Sequence, residues 1–239
     1  MVLLALDTSS PYGSLALLDQ GEPIAELSLK IRTNYSEKLI MALETLLQAA
    51  GVKLKDVGGV AVGQGPGTFT GLRVGVGTAK ALAFSLDTPL WGIGTLPAMI
   101  GTTGCQGGKF LALLDARQGF SFGAAYQWAP EGMLTSLEEA SLRPMKTWWD
   151  RAQQVSWDGV IMTPGTREAF ASRGLDWTEA GRPRLFLGGN LARSIGRLAW
   201  RRSLDQDQDD PLTLVPHYLK PSDAELKGHF LRVTGLDTF

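Results

Sequence analysis

The sequence predicts an α/β chain in which one βββαβα unit is used twice. Three observations predict it. An apolar run closed by an aspartate, residues 2–7, returns 108 residues later as residues 110–115, Asp115 standing where Asp7 stood. Each run is followed by a turn and a second apolar strand, residues 14–18 and 122–126. Both halves then pass from the two-residue period of strands to the spacing of helices. Two copies of a long period fit a duplicated domain better than an array of repeats.

In the first unit, residues 2–6 and 14–18 form a hairpin across the turn formers Ser9, Ser10, Pro11 and Gly13. After Asp19-Gln20-Gly21-Glu22 a third strand, 23–31, carries Ile24, Leu27, Leu29 and Ile31. Asn34 and Glu37 read as a capping pair. Leu39, Ile40, Leu43, Leu46, Leu47 and Ala50 then recur at helical spacing until Gly51. Residues 57–62 are a short strand, 63–71 a glycine-rich loop, 70–86 a second helix and 90–93 a strand. The second unit repeats this less regularly. Its strands are 110–115, 122–126, 133–140, 159–163 and 185–187, its helices 145–153, 166–172 and 190–200. The run Asp205 to Asp210 reads as a solvated loop. The glycines at 104, 107 and 108 place a boundary, giving domains 1–106 and 107–212, with 213–239 packing back on the first.

The 239 residues are 44% hydrophobic and 20% charged, enough for a packed core. Lys+Arg 23 against Asp+Glu 24 leaves a net charge of −1, so no global field recruits nucleic acid or an anionic membrane. Cys105 is the one cysteine and cannot close an internal disulfide. His217 and His229 stand apart without a ligand cluster. With no basic leader and no apolar run near 18 residues, the chain reads as cytoplasmic, without a metal or other cofactor.

The loop Gly63-Gln64-Gly65-Pro66-Gly67-Thr68-Phe69-Thr70-Gly71 sits between strand and helix, where an anion could be held. It lacks the lysine of a P-loop and the spacing of a dinucleotide loop, so it reads first as a structural turn. Asp7, Gly65, Gly67 and Thr68 are where an anion or nucleotide would be met. Asp7 and Asp115 could position a metal, but strand-end aspartates also cap the turn that follows, and capping is the favoured reading. The second helix has small residues at Gly71, Gly75, Ala79 and Ala83 and again at Gly77, Ala81 and Ser85. Only Arg73 and Lys80 are charged, so the helix is covered on more than one side, and a partner helix is expected there. Arg193, Arg197 and Arg201 share a helical row that reads as a solvated face, and the seven tryptophans read as packing.

The segments Leu4 to Ser9, Gly63 to Gly75 and Gly92 to Leu96, and above all the G-P-G-T-F-T-G-L-R core at 65–73, resemble the TsaB family. That is the dimerisation subunit of the bacterial machinery that makes threonylcarbamoyladenosine beside the tRNA anticodon. The resemblance is strong to about residue 100 and looser after it. It implies an actin/Hsp70-like fold of two ribonuclease H-like domains. It also implies a non-catalytic subunit that pairs through its N-terminal helices with a TsaD-like transferase, which a TsaE-like ATPase joins. Such a subunit could pair with itself when alone and meets tRNA only indirectly. TsaD has metal-binding histidines after the strand that follows the glycine segment, whereas this chain has Gly94-Thr95-Leu96-Pro97-Ala98-Met99 there. The expected partner residues are Met41, Thr70, Arg73, Gly75, Gly77, Ala79, Lys80 and Ala83. The other reading is a weak actin-like ATPase or small-molecule kinase, using Asp7, the Gly-Pro-Gly loop and Gly188-Gly189-Asn190 around a nucleotide.

Overall fold

A computed structural model describes residues 1–30, 35–105, 107–129, 133–177, 185–187 and 190–220. The first half runs β1 (Val2–Asp7), β2 (Tyr12–Asp19), β3 (Glu22–Lys30), α1 (Tyr35–Ala50), β4 (Val57–Gly65), α2 (Phe69–Leu86), β5 (Leu90–Gly94) and α3 (Thr95–Gly101). The second runs β6 (Gly108–Asp115), β7 (Phe120–Trp128), β8 (Leu134–Pro144), α4 (Met145–Gln154), β9 (Gly159–Met162), α5 (Pro164–Ala171), β10 (Leu185–Leu187) and α6 (Leu191–Leu204).

The two sheets have the same strand order, β3-β2-β1-β4-β5 and β8-β7-β6-β9-β10. In each, the first three strands are an antiparallel meander and the last two lie parallel to the first strand. The duplication predicted from the two Asp-ended strands is therefore present in the topology. Register follows the apolar pattern, with Leu4 opposite Leu17 in one hairpin and Leu113 opposite Gly123 in the other.

Continuous apolar strands such as Leu3-Leu4-Ala5-Leu6 need cover on both faces, and the layers supply it. Leu4 and Leu6 point to an outer core under α1 and α2, while Leu3 and Ala5 point inward. In the second sheet Leu111 and Leu113 face an outer core containing Met145, Trp148 and Phe170 of α4 and α5, and Phe110 and Ala112 face inward. One inner core joins the sheets. Its helices are exchanged: α6, from the second half, packs on β1 and β2, and α3, from the first half, packs on β6. The order is thus helices, sheet, helices, sheet, helices.

Several expectations need correction. No helix was expected at α3, because Pro97 and its short length hide it. Pro97 falls in the first turn, where its missing N–H costs nothing. The acidic run is docked rather than merely solvated: the Asp209 N–H donates to the Leu90 carbonyl, and Asp209 accepts from the Gly92 N–H at 2.8 Å and from Arg202 at 3.0 Å. It covers the edge of β5 and so blunts an exposed strand. On α6, Arg193 pairs with Glu26 and Arg197 with Glu22, tying the helix to β3. Ile31, Asn34, Gly188, Gly189 and residues 221–239 lie outside the described residues.

Candidate functional site

Two regions carry the residues singled out above. The first is the meeting of the β1–β2 turn with the glycine-rich loop. Asp7 is fully buried, and its Oδ1 accepts the Ser9 N–H at 3.1 Å. Asp115 does the same for the Arg117 N–H at 2.9 Å, so both strand-end aspartates cap their turns. The Asp7 Oδ2 has no hydrogen-bond partner among the described residues. Burial raises its carboxyl from 3.8 to about 6, against the opposing pull of the Ser9 and Thr8 groups beside it. Gly63 lies directly over it. A methyl there would come within 2.6 Å of Asp7 Oδ1 and 3.2 Å of Ile195 on α6.

The glycines of the loop are packed on carbonyl oxygens. Gly67 lies against the Ser9 carbonyl, Gly71 against that of Thr8, and Gly65, at φ +118°, against that of His217. Thr68 N–H donates to the Ser9 carbonyl at 2.7 Å, and Thr8 Oγ1 donates to the Gly71 carbonyl at 2.6 Å. The chain's own acceptors thus fill the face on which these glycines are narrow. A cleft of about 1220 Å³ does open elsewhere, between the β2–β3 turn, the end of β5, the C-terminal half of α6 and the tip of β7 and β8. Trp128, Ser194, Arg197 and Trp200 line it; Asp7, Gly65, Gly67 and Thr68 do not. Among the described residues no group of three or more His, Cys, Asp and Glu could hold a metal ion, and no helix is long and apolar enough to cross a membrane.

The second region is the outer face of α1 and α2. The two small rows of α2 part company here. Gly71, Gly75, Ala79 and Ala83 turn inward: Ala79 and Ala83 are buried, and Gly75 rests on Thr8 Oγ1. Gly75, Ala79 and Ala83 therefore leave the set of candidate contacts, because the chain's own first sheet and β1–β2 turn already cover them. Gly77, Ala81 and Ser85 turn outward, and among the described residues nothing lies within 4 Å of where a side chain on Gly77 would begin. Phe84 beside them is 80% exposed, and Met41 of α1 is 60% exposed. Thr70 and Arg73 are exposed at the start of α2.

Lys80 is also reassigned. Its ammonium donates to the carbonyls of Leu212 at 3.3 Å and Leu214 at 3.0 Å, fastening a strap of chain, residues 212–220, beside α2. Leu214 is buried in the outer core, and the His217 N–H donates to the Gln64 carbonyl at 2.6 Å. Tyr218 stacks on Phe69 with ring centroids 4.6 Å apart, and its hydroxyl accepts from Arg73 Nε. Phe84, Leu212 and Val215 were not among the residues singled out. The sequence offered only their apolar character, which is as common in cores as on faces.

The family model for TsaD, tRNA N6-adenosine threonylcarbamoyltransferase, matches residues 30–156. The tRNA threonylcarbamoyladenosine biosynthesis protein TsaB of Escherichia coli is 34% identical over 168 residues, covering 69% of this chain and 72% of that one. The chain belongs to the TsaB family. A solved Pseudomonas aeruginosa structure, described as having similarity to peptidase YeaZ, matches with TM-score 0.73 at 25% identity, covering 92% of this chain and 99% of that one. Component A of the Acidaminococcus fermentans (R)-2-hydroxyglutaryl-CoA dehydratase matches with TM-score 0.50 at 10% identity over 85% of this chain and 99% of that one, a likeness of fold alone. The chain thus has the actin-like two-sheet architecture expected of it. Its residues 94–99 close β5 and open α3, where Thr95, Leu96, Ala98 and Met99 are buried in the inner layer.

Proposed function

We propose that this chain is a non-catalytic subunit in the making of threonylcarbamoyladenosine in tRNA, and that it works by pairing with a TsaD-like transferase through the outer face of α1 and α2. The observation that carries the reading is the exposed Gly77-Ala81-Ser85 row with Phe84 and Met41 beside it. Interior glycine costs a helix about 1 kcal/mol relative to alanine, so Gly77 on an open face is a loss unless something approaches closely there. Small residues permit that approach, and a large aromatic left in water beside them is the kind of anchor that pairing buries.

The polar region supports the same reading. A phosphate approaching the narrow face of the glycine loop would meet the Ser9, Thr8 and His217 carbonyls, which accept hydrogen bonds and offer none. The carboxylate that a kinase or ATPase would use sits under Gly63 and Ile195 without access to solvent. An actin-like frame whose glycine loop is packed on its own carbonyl oxygens is suited to holding a partner. A TsaE-like ATPase would join the pair.

The test is co-purification with a TsaD-like subunit, comparing wild type with Phe84→Asp. Pairing by the wild type and its loss in a folded Phe84→Asp chain is the expected result. Wild-type pairing by that variant would move the interface elsewhere.

A further inference from the structure

The strap puts apolar side chains into water beside the proposed face. Leu212 is 81% exposed and Val215 66%, although Leu214 between them is buried and the backbone of the segment is fixed by Lys80. Along its length the strap runs antiparallel to α2, from Lys80 to Arg73 and Phe69. On a helix these three residues share one flank. Val74 and Leu82 mark the other, packed into the core that holds Leu39, Leu43 and Leu46 of α1. Gly77, Ala81 and Phe84 thus lie on a floor with α1 and Met41 on one side and the strap on the other.

We propose that the strap is the third element of the docking surface and that Leu212 and Val215 bear directly on the TsaD-like subunit. This rests on the pairing reading above. Residues 30–156, which the TsaD family model matches, contain both α1 and α2, so a TsaD-like chain can bring a corresponding helix pair to this one. If the two helix pairs pack face to face, the flank of α2 on which the strap lies borders the contact. The strap, residues 212–220, lies outside the matched stretch, so it is a feature of this chain that a second copy would also bring and a TsaD-like partner need not. Exposed apolar residues held on a fixed backbone are fitted to docking, since little side-chain and no backbone freedom is lost when they are covered.

The experiment measures the affinity of the full chain for a TsaD-like subunit, with Leu212→Asp/Val215→Asp and Phe84→Asp as separate variants, each checked for an unchanged melting transition. Both strap positions are exposed, so the double variant should fold. Two carboxylates set against an apolar partner should weaken pairing at least fivefold, while self-association of the chain changes less. Less than a fivefold loss together with a clear loss in Phe84→Asp would overturn the strap inference and leave the pairing reading standing. Wild-type affinity in both variants would remove the pairing face itself and the strap with it. Loss of self-association with pairing unchanged would assign the strap to a second copy and overturn the proposal.

Discussion

Replacing Asp7 by asparagine should stabilise the chain at neutral pH. The carboxyl is fully buried, one oxygen is held by the Ser9 N–H and the other has no partner among the described residues. Burial raises it from 3.8 to about 6, so the folded chain holds this proton more tightly than the unfolded chain does. The sign follows from linkage. The group's contribution to stability is complete below pH 3.8, falls as the pH climbs to about 6 and is gone above it. At 1.36 kcal/mol per tenfold, the charge costs the folded state about 3 kcal/mol at pH 7.5. Asparagine keeps the acceptor for Ser9 and removes the charge, but it places an amide where Oδ2 lacks a partner, which takes back part of the gain. A net gain of about 1–3 kcal/mol is expected. Urea denaturation of both proteins between pH 4.5 and 8 would show it as a difference that grows with pH and levels off above 6. A difference independent of pH, or an asparagine variant less stable at pH 7.5, would refute the reasoning and point to a cation held at Asp7.

Gly67→Val and Gly71→Ala should each destabilise the fold by about 1–3 kcal/mol in thermal or chemical unfolding, because their new side chains collide with the Ser9 and Thr8 carbonyls. At Gly67 the cause is this close approach and not a left-handed backbone, which among the loop glycines belongs to Gly65. Gly75→Leu and Ala79→Trp should appear as unfolding, since both positions face the chain's own core, whereas Gly77→Trp should leave the melting transition in place and abolish pairing. Purified chain should hydrolyse ATP far below the roughly 1–1,000 per second of ordinary enzymes, and Asp7→Ala should not change that background.

The strands were the most legible part of the sequence, for a physical reason: an apolar run covered on both faces has little freedom except its ends, and Asp7 and Asp115 mark those ends. The inner layer was less so. Helix α3 is seven residues long and contains Pro97, so neither periodicity nor caps announce it. The faces of α2 could not be separated either. Both rows are small, both repeat every four residues, and apolar side chains lie all round. What decides between them is Thr8, whose hydroxyl bonds Gly71 and sits under Gly75, a contact between residues 63 apart in sequence. The same holds for Lys80, which reads as a partner contact until residues 212 and 214 come to lie beside it. Likewise the acidic run reads as solvated until Arg202 and the edge of β5 take up Asp207 and Asp209.

The most direct test of a non-catalytic pairing subunit is tRNA modification in a defined mixture of this chain, a TsaD-like subunit and a TsaE-like ATPase, with each protein omitted in turn. Leaving this chain out, or replacing it with Phe84→Asp, should abolish threonylcarbamoyladenosine, and this chain without the TsaD-like subunit should form none. Modification by this chain in the absence of that subunit, or undiminished modification when this chain is left out, would contradict the assignment.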